Sequence, residues 1–330
     1  MASTGDPLSV PLKGEDLDPD IRRFVREMGR GWAEHPGFAT APPHEARRIA
    51  EQVRAPWTRG GPRVDSTEHC VVAPRGDVRI RCYGADSRGP KPALVYLHGG
   101  GWTLFSLETH DRLMREYAAR AGVVVVGVDY ALSPESKYPE ALDQVFAVTR
   151  FLRLHGGELG IDPLRMALGG DSAGANLATA ASLRLRDEGD ESLVRGMVLN
   201  YGVFDRWSSP DAHLRFGGEG YMLSSAEMEV FWANYLRDEH DLNDPLVCPI
   251  NADLRRLPPA LLVVPVCDLL AEQSVRMAAR LREAGVRTAL RLYEGASHSF
   301  LEAVSIARLA DRAFSETADW LRETLAEVQS

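Results

Sequence analysis

Cysteine is scarce in this chain: four residues in 330, Cys70, Cys82, Cys248 and Cys267, with no CxxC and no Cys/His spacing. That excludes a disulfide framework and a cysteine-based zinc site, and it fits the reduced thiols of a cytoplasmic protein. Long apolar runs are missing too, and none approaches the ~18 residues of a membrane span. The opening stretch, MASTGDPLSVPLKGEDLDPD, is acidic and has no apolar core, unlike a signal peptide. Basic blocks are absent and the formal net charge is −9, which excludes a nucleic-acid partner. What remains is 45% hydrophobic and 26% charged, an ordinary globular composition in a chain long enough to bury a sizeable core.

Residues 1 to about 20 are polar, punctuated by proline and expected to be loosely held. DPDIRRFVREMGRGWAE then carries Ile21, Phe24, Val25 and Met28 at helical spacing, and PPHEARRIAEQVRA reads as a second helix. Strands and helices alternate afterwards. The strands are expected at Thr67–Ala73, Asp77–Tyr83, Ala93–Leu97, Val123–Asp129, Arg165–Leu168, Val194–Tyr201, Ala260–Val266 and Val286–Tyr293. The first two form a hairpin across APRGD. Continuous runs such as VVVVGV and ALLVVPV suit a parallel sheet covered on both faces by helices, an α/β fold. About 58 residues separate the sixth and seventh strands, too many for a plain connection, and long excursions of this kind are often functional lids.

Four features lie just after strands. GGDSAGAN places Ser172 between Gly170 and Gly174 where the fifth strand turns into a helix, the setting of an exposed, strained nucleophile. A glycine-rich turn with a capping serine is the alternative. HGGGW, His98 to Trp102, follows the third strand, and its glycines leave backbone N–H groups free to point at one oxygen. Asp268 follows the seventh strand and His298 the eighth, although alone each also fits a helix cap or an ordinary loop residue. Carboxyl ends of parallel strands are where open α/β sheets build their sites. His110 and Asp111 read as a helix cap, and Asp129 as a residue fixing the loop after the fourth strand. Phe204, Trp207, Phe231, Trp232 and Tyr235 are enough aromatics to line an acyl pocket; at helical spacing most are expected to pack the excursion onto the core and about two to touch substrate.

Together HGGGW, DYALSPE, GGDSAGAN, LPPALLVV and GASHSF, in this order, resemble the α/β-hydrolases of the hormone-sensitive-lipase-like group, the bacterial family IV carboxylesterases, in particular the acetyl-esterase-like members. The resemblance runs from about Asp16 to the C-terminus. It implies a mostly parallel eight-stranded sheet with helices on both faces and a helical cap, the cap being residues 1–60 and 203–250 and the catalytic core 61–202 and 251–330. It implies Ser172 as nucleophile, His298 as general base and then acid, and Asp268 as its orienting partner. Gly100, Gly101 and Ala173 would give the oxyanion hole, His98 would hold the glycine loop, and Trp102, Phe204 and Trp207 are the expected pocket residues. The family's Asp-Pro-Leu-x-Asp-Glu is here Asp268-Leu269-Leu270-Ala271-Glu272-Gln273, so Glu272 stands as a rival partner for His298.

The activity implied is hydrolysis of short- to medium-chain acyl esters, with a small-molecule ester as partner and neither metal nor organic cofactor. An amidase, deacetylase or acyltransferase would use the same residues. A ligand-binding pseudo-enzyme, like the gibberellin receptors that resemble this family, is disfavoured because GASHSF keeps its histidine. The resemblance also implies a homodimer paired along Val286–Tyr293.

Overall fold

The computed structural model describes residues 16–86 and 89–326. Of the segment 1 to about 20, expected to be loosely held, residues 1–15 lie outside them, and the rest is held: the Asp18 N–H donates to the Gly295 carbonyl at 2.9 Å and a helix begins at Pro19. Asp18 opens the first helix, α1 (Pro19–Ala33): its carboxylate accepts the N–H groups of Asp20 and Ile21, and Pro19 occupies a position where no N–H is needed. Ile21, Phe24 and Met28 form its buried stripe. The second helix, α2 (Pro43–Arg54), buries Ile49, Ala50 and Val53.

The eight strands are β1 (Ser66–Val71), β2 (Val78–Tyr83), β3 (Lys91–Leu97), β4 (Val124–Asp129), β5 (Ile161–Asp171), β6 (Gly196–Asn200), β7 (Ala260–Cys267) and β8 (Thr288–Ser297). They form one sheet in the order β1-β2-β4-β3-β5-β6-β7-β8. β1 and β2 pair antiparallel, as do β2 and β4; every other pairing is parallel. Successive side chains point to opposite faces, so each strand feeds two cores. Ala93, Val95 and Leu97 of β3 join the core beneath α4 (Glu140–His155), α5 (Ala173–Asp187) and α8 (Ala271–Glu283). Leu94 and Tyr96 join the opposite core with α1, α2, α3 (Asp111–Ala121) and α9 (Arg308–Thr324).

β3 starts two residues before the expected bound and β7 ends one after it, and β5 and β8 depart further. β5 begins at Ile161 and continues through Gly169 and Gly170, which have no strand preference but pair with Tyr96 and Leu97 on one side and Val198 and Leu199 on the other. β8 starts two residues late and runs to Ser297, past a register shift opposite Pro265 and Cys267. His298 therefore emerges directly from the strand.

The excursion between β6 and β7 carries α6 (Pro210–Phe216) and α7 (Ser225–Tyr235). Ser224 and Glu227 close a reciprocal capping box at the start of α7. Met228, Trp232 and Tyr235 pack this helix onto the core.

Candidate active site

Ser172 lies between β5 and α5, at the helix's N-cap, with φ 54° and ψ −117°, a strained conformation that the surrounding packing holds. A side chain at Gly174 would collide with the Leu97 carbonyl, so only glycine lets α5 start this close to β3. Asn176, one turn into the helix, donates to the carbonyls of Val203 (3.0 Å) and Val247 (2.9 Å), tying α5 to the excursion.

The structure brings Ser172, His298 and Asp268 together. His298 Nε2 stands 3.1 Å from Ser172 Oγ, and its Nδ1 lies 2.8 Å from Asp268 Oδ2. The other oxygen of Asp268 accepts the Leu270 N–H at 2.9 Å, so this carboxylate serves the turn before α8 and the imidazole at once. Glu272 lies within α8 and makes no hydrogen bond to His298. All three residues are buried, which strengthens the interactions among them.

Around Ser172 three backbone donors are free. Among the described residues, no hydrogen bond is made by the N–H of Gly100, Gly101 or Ala173. Gly101 adopts φ +59°, and a side chain there would run into the Phe231 ring of α7. His98 is buried under the loop with Nδ1 2.7 Å from the Gly99 carbonyl, while Tyr130 donates its hydroxyl to the His98 carbonyl at 2.7 Å and stacks on the imidazole. Burial, reinforced by the neighbouring His110, draws the His98 pKa down to about 4, so the ring is neutral near pH 7.

Asp171 is a residue whose part in the site was not legible in sequence. Its carboxylate accepts the Tyr96 hydroxyl (2.9 Å) and the Gly99 N–H (3.1 Å), and lies 3.3 Å from His110 Nε2. Burial pushes its pKa up, but His110 and the hydrogen bonds from His110 and Tyr96 outweigh that and leave it below the ordinary value. The expected cap at His110 and Asp111 is thereby corrected: the His110 side chain turns into this network, and Asp111 accepts from Tyr83 and Arg115. Asp129 likewise pairs with Arg79 of the neighbouring strand, not with the loop after it.

The cavity over Ser172 is walled from three directions. The N-terminal helices contribute Trp32, Phe38 and Arg54; the glycine loop contributes Leu104 and Phe105; the excursion contributes Met222, Leu223, Glu227 and Phe231. Trp102, Phe204 and Trp207 are not in this wall. Trp102 is buried and stacked on Tyr235 at 4.1 Å, Phe204 is fully buried in the core, and Trp207 is 52% exposed beneath Arg276. Their apolar surface is absorbed by helix packing or left to solvent. Of the five aromatics expected either to pack the excursion or to line the pocket, Phe231 is the one that reaches the cavity.

No group of three or more His, Cys, Asp or Glu side chains among the described residues could hold a metal ion. No helix there is long and apolar enough to cross a membrane. Cys70 is exposed, whereas Cys82, Cys248 and Cys267 are buried.

Comparison with known proteins agrees with this architecture. A family described as "alpha/beta hydrolase fold" matches residues 94–302. An acetyl esterase of Salmonella paratyphi B is 35% identical over 265 residues, covering 79% of this chain and 81% of the relative. The solved structure of a hyperthermophilic esterase from the archaeon Pyrobaculum calidifontis superimposes with a TM-score of 0.86 at 30% identity, covering 93% of this chain and 98% of that one. A thermostable esterase from Pseudomonas putida gives a TM-score of 0.89 at 28% identity, with 95% and 99% covered. The motifs, the sheet order and these likenesses agree: the chain belongs to the α/β-hydrolase family, in its hormone-sensitive-lipase-like, bacterial family IV esterase group.

Proposed function

We propose that this protein is a serine carboxylesterase acting on short- to medium-chain acyl esters through an acyl-enzyme. One observation carries the reading: the contact of Ser172 Oγ with His298 Nε2 at 3.1 Å, backed by Asp268 2.8 Å from Nδ1. Nε2 takes the hydroxyl proton as Oγ bonds to the ester carbonyl carbon. The carbonyl oxygen becomes an oxyanion, held by the N–H groups of Gly100, Gly101 and Ala173. Such donors each contribute roughly 3 kcal/mol to the transition state. The C–O bond to the alcohol then breaks, and the leaving oxygen receives the proton from Nε2. Water attacks the acyl-enzyme by the same route, its proton going to Nε2 and then to Ser172 Oγ as the acid departs. Asp268 keeps the proton on Nδ1 and stabilises the imidazolium.

In this reading the described part of the segment 1–60, from residue 16, and residues 203–250 form the cap, which the cavity's wall supports: Trp32, Phe38 and Phe231 close over Ser172 and keep bulk water from the oxyanion. The acetyl esterase relative supports a short acyl group. β8 lies at the sheet edge with Leu292 exposed, which supports pairing of two copies along it, and light scattering measures that mass directly.

The decisive experiment combines initial rates on p-nitrophenyl esters from acetyl to dodecanoyl with fluorophosphonate labelling, for the wild type and Ser172→Ala. Hydrolysis that peaks at short chains, with one label per chain on Ser172 and both lost in the variant, is the expected result. Equal rates for the two proteins and no label would reject the esterase.

A further inference from the structure

Ester hydrolysis by the residues above leaves one cavity group without a role. Arg54, the last residue of α2, stands in the wall beside Ser172. Its side chain is 5% exposed, and its Nη1 is hydrogen-bonded to Glu302, which is 3% exposed. The Phe105 ring lies 4.0 Å from the guanidinium carbon. Nε of Arg54 is buried with no partner, and so is Oε2 of Glu302. A buried donor without an acceptor is costly, and a pocket for alkyl chains alone has no use for it. The two carboxylates that line the cavity are engaged elsewhere: Glu227 Oε2 accepts the Ser224 N–H at 2.8 Å and hydroxyl at 2.7 Å, and Asp171 accepts the Tyr96 hydroxyl and the Gly99 N–H. Burial draws the Arg54 pKa down to about 10, which still leaves a cation at neutral pH.

We propose that Arg54 receives a carboxylate of the substrate, so that the preferred substrates are esters carrying a free carboxylate remote from the scissile bond. With Nη1 committed to Glu302, the edge formed by Nε and Nη2 remains. That edge matches a carboxylate with two parallel N–H···O bonds, a geometry lysine lacks. Glu302 balances the guanidinium while the cavity is empty, which makes a buried cation tolerable. Arg54 is thus a specificity-determining residue within the proposed esterase, and the inference rests on Ser172 being its nucleophile.

A purely structural role is the competing account, since the Arg54–Glu302 pair also ties α2 to the 3₁₀ turn Phe300–Ser305 after His298. The two accounts separate on a pair of esters with the same leaving alcohol, monoethyl adipate and ethyl hexanoate, compared as the ratio of their kcat/KM values. The wild type is expected to favour monoethyl adipate by about tenfold or more. Replacing the whole pair, Arg54→Met with Glu302→Leu, avoids stranding a charge and is expected to abolish that preference. Glu302→Gln keeps the guanidinium, removes its counter-charge, and is expected to hold or raise the ratio. A wild-type ratio at or below one, or two variants that shift both esters in the same proportion, would overturn the assignment. Calorimetric binding of both esters to Ser172→Ala reads the same preference without turnover. Tighter binding of monoethyl adipate there supports the subsite even if no ester is hydrolysed, and equal binding rejects it; absent turnover and absent labelling reject the esterase instead.

Discussion

The carboxylate of Asp171 accepts the Gly99 N–H at 3.1 Å, tying the residue before Ser172 to the first glycine of the loop that follows β3. The two glycine-rich stretches, 72 positions apart in sequence, are thereby held as one unit. Tyr96 and His110 complete the shell on the same carboxylate. Asp171→Asn keeps the volume but gives one acceptor where two are used. We expect it to lower stability by about 2 kcal/mol in urea unfolding, the usual order for a broken buried polar network. We also expect kcat to fall about tenfold at unchanged fold content, because the loop bearing Gly100 and Gly101 loosens. Loss of stability with unaltered kcat would confine Asp171 to a structural part.

Asp268 and Glu272 can be told apart by charge removal. Asp268→Asn is expected to cost roughly a thousandfold or more in kcat, since an amide cannot hold the imidazole in its productive tautomer. Glu272→Gln, on a helix and outside hydrogen-bonding reach of His298, is expected to stay within about twofold of wild type. Steady-state kinetics on p-nitrophenyl acetate decides between them.

Gly101 and Phe231 are coupled by shape. Gly101→Ala places a methyl group in the space of the Phe231 ring at a φ that disfavours alanine. We expect kcat/KM to fall at least about tenfold. Adding Phe231→Ala should recover part of that loss and extend the range of acyl chains accepted. If the double variant is no better than Gly101→Ala, the backbone conformation and not the ring is what matters.

His98 gives the protein an acid-side weakness. Unfolded, its imidazole protonates near 6.5; folded, burial beside His110 delays that until about pH 4. The stability this contributes is complete above pH 6.5 and is lost as pH falls towards 4. Between about pH 7 and about pH 4.5 it amounts to roughly 2 kcal/mol. Urea midpoints for the wild type should fall across that window, and His98→Gln should flatten the dependence. An unchanged slope in the variant would shift the origin to other groups.

Much of this protein was legible in its sequence because the signals are local. Apolar runs bounded by turn residues located the inner strands such as β4 and β7, which are buried on both faces, while a hairpin turn marked β1 and β2 and alternation marked β8. The positions of Ser172, Asp268 and His298 directly after strands followed from the same pattern, as did the glycines that allow the turn at Ser172. Tertiary structure alone decided which side chains wall the cavity. Trp102 ends the HGGGW motif, and Phe204 and Trp207 follow β6, yet stacking on Tyr235, burial in the core and exposure beneath Arg276 keep them out of the wall. Arg54 and Phe231 reach it from helices that belong to distant segments. Composition and periodicity report which residues seek burial; which partner each one meets depends on how α2, α7 and the sheet pack, and no local signal carries that.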